Sequence, residues 1–71
     1  MSDDQVITRN VKLVLTREPQ IEGHKVIVST KKHVVYLKGE LTSESAIMRA
    51  DQIARQVGGV RAVVNMLRIS P

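Results

Sequence analysis

The side chains that could do chemistry in this chain are two histidines, His24 and His33, nine positions apart, with Glu22 and Glu40 the carboxylates nearest them in sequence. Imidazole and carboxylate together can hold a divalent metal or move a proton. Metal sites, however, draw their ligands from tighter clusters, and the chain has no cysteine to contribute. Both histidines fall in segments that read as loops, where a solvated imidazole is the ordinary state. The serines lack the pattern that exposes a nucleophile on a strand-to-helix turn. Gly58-Gly59 follows a helical pattern instead of opening one, so phosphate-loop chemistry has no support. Without cysteine there is neither a disulfide nor a thiolate nucleophile. The residues point away from an enzyme, and no cofactor or metal site is expected.

Two further features carry candidate chemistry of a binding kind. Lys31-Lys32-His33 is a cationic stretch between two apolar runs, either a solvated turn or an anion-contacting tip. Asn65 interrupts an apolar row; as a buried amide it would need partners, either in a structural link to helix or loop backbone or on a ligand. The chain as a whole is basic, with eleven Lys and Arg against seven Asp and Glu and a net charge of +4. Such a balance favours phosphate-bearing surfaces, lipid or nucleic acid, without choosing between them.

The elements that must position these residues follow from periodicity. Ser2-Asp-Asp-Gln5 has capping-box spacing and opens a helix in which Ile7, Val11, Val14 and Leu15 share a face while Arg9, Lys12 and Thr16 meet water. Val6 and Leu13 lie off that stripe. Pro19 ends the helix. Lys25 to Thr30 and Val34 to Lys38 are rich in β-branched residues and read as a hairpin, with Gly39 and Leu41 leading out of the sheet. Ser43 is placed to cap a second helix, in which Ala46, Ile47, Ala50, Ile53, Ala54 and Val57 form one arc. The Gly58-Gly59 pair closes it, and Val60 to Ile69 alternates again, with Val63, Leu67 and Ile69 inward. The order α-β-β-α-β predicts an α+β two-layer sandwich, both helices on one face of a three-stranded mixed sheet, in a single domain of residues 1–71 with its core at about 3–69.

Alternation within those strands puts Val26, Val28, Val35 and Leu37 beneath the helices. Ile27, Val34, Tyr36, Val64 and Met66 then project from the opposite side, where Lys25, Lys38 and Arg68 can rim them. An apolar patch with a polar rim marks a partner or membrane site, and Tyr36 suits one because its ring is apolar while its hydroxyl stays wet. The bland alternatives are dimerisation, crystal packing or cover from a neighbouring domain.

The same residues resemble a known family, the BON domain, a small module of bacterial cell-envelope and osmotic-stress proteins. The resemblance runs through Ile7, Val11 and Leu15, then Glu18-Pro19, Val35-Tyr-Leu37 with Gly39, and Gly59-Val60 with Val63, Asn65 and Leu67. It covers roughly residues 3 to 69. One departure is His33, where the family usually has glycine; a hairpin needing a left-handed residue there carries strain of order 1 kcal/mol. The resemblance implies a non-catalytic attachment module, commonly regarded as phospholipid-binding, in periplasmic, lipoprotein or membrane-linked proteins, with no catalytic set to carry over.

Two functions are therefore expected to compete. In the first, the outer sheet face and tip, namely Ile27, Lys31, Lys32, Val34, Tyr36, Lys38, Val64, Met66 and Arg68, or else the first helix through Val6, Arg9 and Leu13, attach to an anionic phospholipid surface. In the second, the same surface docks another envelope protein or a second copy. Gly39, Gly59 and Asn65 are structural in both. Nucleic acid ranks third, since a sheet that reads bases needs stacking aromatics and Tyr36 stands alone. No segment approaches the length needed to span a bilayer, about 20 apolar residues. The start of the chain carries no secretory signature, so it is read either as staying inside the cell or as the mature or excised part of an exported protein.

Overall fold

The computed structural model describes residues 3–21 and 25–70. Five elements follow one another: α1 (Asp3–Thr16), β1 (Val26–Lys31), β2 (Val34–Leu41), α2 (Glu44–Arg55) and β3 (Ala62–Ile69). The sheet order is β1-β2-β3, with β1 antiparallel and β3 parallel to the central β2. The expected mixed sheet and α-β-β-α-β order are therefore what the molecule adopts.

The core is aliphatic and lies on one side of the sheet. Ile7, Val11 and Leu15 of α1 and Ala46, Ala50 and Ala54 of α2 are buried against Val28, Val35, Leu37, Leu41 and Val63. The alanines are spaced four apart, which stacks them along one line of the helix and lets α2 lie close to the strands. Ser43 caps α2 as its spacing implied, the hydroxyl accepting from the Ala46 N–H at 3.1 Å. The capping box proposed for α1 depends on Ser2, which lies outside the described residues.

Several boundaries differ from the sequence reading, beginning with β1, which spans Val26–Lys31 where Lys25 to Thr30 was expected. β2 does not release the chain at Gly39 but runs on to Leu41, because Gly39 adopts φ +133 and keeps its place opposite Val26. Only glycine fits there: a Cβ would run into the Lys25 carbonyl oxygen. α2 stops at Arg55, before the glycine pair, in tight turns from Gln56 to Ile53 and Val57 to Ala54. Of the pair, Gly59 takes the positive φ, +91, beside the Ile7 side chain. β3 begins at Ala62 instead of Val60.

Ile69 was expected inward and is 49% exposed. Asn65 lies level with Ile47, in the first turn of α2, through a side-chain hydrogen bond. Ile69 sits four residues further on, about 13 Å at the rise of a strand, and so lies past the start of the helix that would have covered it. Ile21, between α1 and β1, is buried instead.

Candidate functional site

The pairing register lays out the outer sheet face as a grid. Lys31, Val34 and Ala62 form one row across the three strands, Ser29, Tyr36 and Val64 the next, and Ile27, Lys38 and Met66 the third. Glu40 and Arg68 pair beyond them on β2 and β3. These residues alternate with the buried Val28, Val35, Leu37 and Val63, so they face away from both helices. Ile27 is 59% exposed, Met66 40% and Val64 38%, while Val34 and Tyr36 are half-buried among them. The structure thus brings together Ile27, Val34, Tyr36, Val64 and Met66. Lys38 is not at the rim: it stands on the central strand between Ile27 and Met66, a cation within the apolar patch. A shallow groove runs beside it along β2 and β3, lined by Gly39, Glu40, Met66, Leu67 and Arg68.

On the helical side Arg49 pairs with Glu18 at 3.4 Å and Arg55 with Asp51 at 2.8 Å. Among the described residues, no such carboxylate partner is found for Lys31, Lys32, Lys38 or Arg68. Cations without a side-chain carboxylate partner among the described residues therefore stand on both sides of the sheet: Lys38 and Arg68 on the outer face, where Glu40 lies opposite Arg68, Lys31 and Lys32 at the hairpin tip, and the exposed Arg9 and Lys12 of α1, next to the 47%-exposed Leu13. No helix among the described residues is long and apolar enough to cross a membrane.

The tip itself is built differently from the solvated loop anticipated for His33. Lys31 pairs with Val34, leaving a two-residue turn in which Lys32 has φ +52 and His33 φ +67. This is the mirror-image geometry whose twist matches a hairpin and which ordinarily recruits Asn-Gly. Side chains in that region cost about 1–2 kcal/mol per residue. Here Asp4, in the first turn of α1, offsets the cost: its two carboxylate oxygens accept from the Lys32 and His33 N–H groups, each at 2.9 Å. Those bonds, the one from His33 first, hold the Asp4 carboxyl below the usual carboxylate range. The His33 ring is also engaged. Its Nδ1 lies 3.1 Å from the Gly59 carbonyl oxygen, which can only accept, so Nδ1 carries the proton; Nε2 lies 3.8 Å from Asp3. The His33 carbonyl accepts from the Arg61 N–H at 2.8 Å. One carboxylate and one imidazole thus fasten α1, the hairpin and the entry to β3 together. Sequence reading missed Asp4 entirely; the signal was a two-residue turn without glycine facing an acidic helix start.

Asn65 is not buried, because β3 is an edge strand and the amide lies beside α2 instead of beneath it. Its Nδ2 donates to the Ile47 carbonyl at 3.2 Å, and its Oδ1 accepts from the Leu67 N–H at 3.0 Å. His24 and Glu22 lie outside the described residues. Among the described residues no cluster of three or more His, Asp or Glu forms a metal site.

Comparison with known proteins adds a family and a fold neighbour. The family model for the BON domain matches residues 3–71. No curated protein matches the chain. Among solved structures, the C-terminal domain of CdsD, described as the structural protein of the Type III secretion system of Chlamydia trachomatis, superposes with a TM-score of 0.78 at 18% identity. The match takes in 96% of this chain but only 34% of that one, so the chain spans about a third of the neighbour's length.

Proposed function

Since the chain belongs to the BON domain family, a family of binding or interaction modules that are generally non-catalytic, we propose that it attaches its parent protein to anionic phospholipid surfaces in the bacterial envelope. The observation that carries this reading is the uncovered outer face, where Ile27, Tyr36, Val64 and Met66 lie around Lys38 and no helix among the described residues lies over them. Apolar side chains of this kind insert shallowly at a headgroup boundary. Lysines and arginines near an anionic surface add about 1 kcal/mol each. Lys31, Lys32, Lys38 and Arg68 all reach from this face or its tip. The groove beside Met66 gives an acyl chain or headgroup a place to lie without any enclosed pocket.

Sedimentation with liposomes tests the proposal. Binding to vesicles containing anionic lipid is expected at low salt, with weakening as salt rises and little binding to zwitterionic vesicles. Absence of binding to anionic vesicles at low salt rejects it.

A second reading is favoured by the nature of the fold neighbour, a domain of a secretion-system structural protein: the same face docks another envelope protein. That contact would depend on the apolar residues more than on the lysines and would change little with salt. Envelope localisation is part of both readings and is supported by the family and by that neighbour.

A further inference from the structure

β3 is an open edge. Strands paired only on one side present a row of N–H and C=O groups that template the addition of another strand, and proteins usually blunt such edges with lysine, proline or bulges. β3 has none of these: its eight residues, Ala62–Ile69, contain no proline, no lysine and one charge, Arg68, and its register with β2 is unbroken. The Ser70 N–H donates inward to the Leu41 carbonyl at 2.7 Å. Alternation along the strand therefore turns the backbone groups of Val63, Asn65, Leu67 and Ile69 toward the open side. The one device on that edge is Asn65, whose Oδ1 takes the Leu67 N–H at 3.0 Å while its Nδ2 is tied to the Ile47 carbonyl at 3.2 Å.

We propose that the β3 edge is a strand-pairing surface for a second copy of this chain, and that Asn65 holds it closed by occupying the Leu67 N–H and anchoring its own amide to α2. The surface suits a second copy because antiparallel pairing centred on Asn65 sets Val63 against Leu67 and Val64 against Met66. It also sets Arg68 against Ala62, so no like charges meet. In that arrangement each strand needs its Leu67 N–H as a donor to Val63 of the other copy. The captured amide thus removes a hydrogen bond from both halves of the ladder. The surface is separate from the outer face, so lipid attachment can fail while this inference stands.

Two measurements test it. In the wild-type chain, hydrogen exchange at the Leu67 amide should be slower than at the Asn65 amide, which points to the same open edge without a captor; equal rates would overturn the proposal. Asn65→Val removes both side-chain bonds and leaves a β-favouring residue, whereas Asn65→Pro removes both bonds and also the central N–H, a change that edge strands tolerate. Sedimentation equilibrium should then give the monomer mass of 7.9 kDa for the wild type and Asn65→Pro, and twice that mass for Asn65→Val at the same concentration. A monomeric Asn65→Val, or dimers of both variants, excludes edge pairing. If Asn65→Val does not fold, Asn65→Ala, which removes the same two side-chain bonds, takes its place in the comparison with Asn65→Pro, and a monomeric Asn65→Ala excludes edge pairing.

Discussion

Asp4 supplies at the hairpin tip what glycine supplies in most turns of this shape, and that substitution of one solution for another has measurable consequences. Because the carboxylate accepts from two N–H groups, its pKa lies below that of an aspartate in the unfolded chain. A lowered folded pKa means a contribution to stability that is complete above the unfolded value of about 3.9 and lost as the pH falls through the folded one. Asp4→Asn should therefore lower the urea midpoint at neutral pH and show a shallower loss on acidification than the wild type. A parallel acid profile for the two chains would show that Asp4 contributes nothing through this turn. Lys32 donates its N–H but no described side-chain hydrogen bond, so Lys32→Asn, which tolerates the left-handed region, should raise stability by about 0.5–1 kcal/mol. His33→Gly relieves similar strain but forfeits the ring bond to Gly59, and its gain should be smaller. Gly39 is the opposite case. At φ +133 with a carbonyl where the side chain would go, Gly39→Ala should cost about 2 kcal/mol or more, read as a drop in the urea midpoint.

Among the elements, α2 and β2 were the easiest to read and the hairpin tip the hardest. Ala46, Ala50 and Ala54 recur at a spacing that only a helix face explains, and Ser43 precedes them as a cap. Alternation in Val34-Val-Tyr-Leu fixed which side of β2 meets the helices. The same parity assigned the outer face, so the apolar members of the candidate site were legible. What was not legible depends on contacts distant in sequence. Asp4 lies 28 and 29 positions from the N–H groups it holds, and Ile69 lost its cover because of where α2 begins. Lys38 was read as a rim residue although the predicted mixed sheet already puts its strand in the centre, with Ile27 and Met66 on either side. Its central position makes it the sharpest probe of the face. Lys38→Glu should leave stability nearly unchanged, since the side chain is exposed. It should weaken binding to anionic vesicles by about 2 kcal/mol, roughly 30-fold, for a reversal of one charge near the surface. A protein partner bound mainly through Ile27, Val64 and Met66 would instead respond to Ile27→Ser. Comparing the two variants at low and high salt separates the readings.

At the scale of the molecule, 71 residues support a small aliphatic core with neither a disulfide nor an aromatic cluster. Small domains bury only about 60% of the surface their unfolded chains expose, so single changes weigh heavily: 1 kcal/mol moves the melting temperature of a domain this size by about 4–8 °C. Ala50→Leu, which forces three extra carbon atoms between α2 and the sheet at a position with no exposure, should cost about 1–3 kcal/mol and show as a melting shift of several degrees. β2 stands at the middle of the sheet yet acquires its second neighbour only after α2 has been made, because β3 joins it in parallel from across a helical crossover. A nascent chain that has emerged only as far as Leu41 thus carries one bare strand flank and a half-built interior. Its commitment to the native shape comes late in synthesis, through contacts far apart along the polypeptide, and such contacts form slowly. During that interval the unmatched flank of β2 is the part of the molecule most open to capture by the wrong strand.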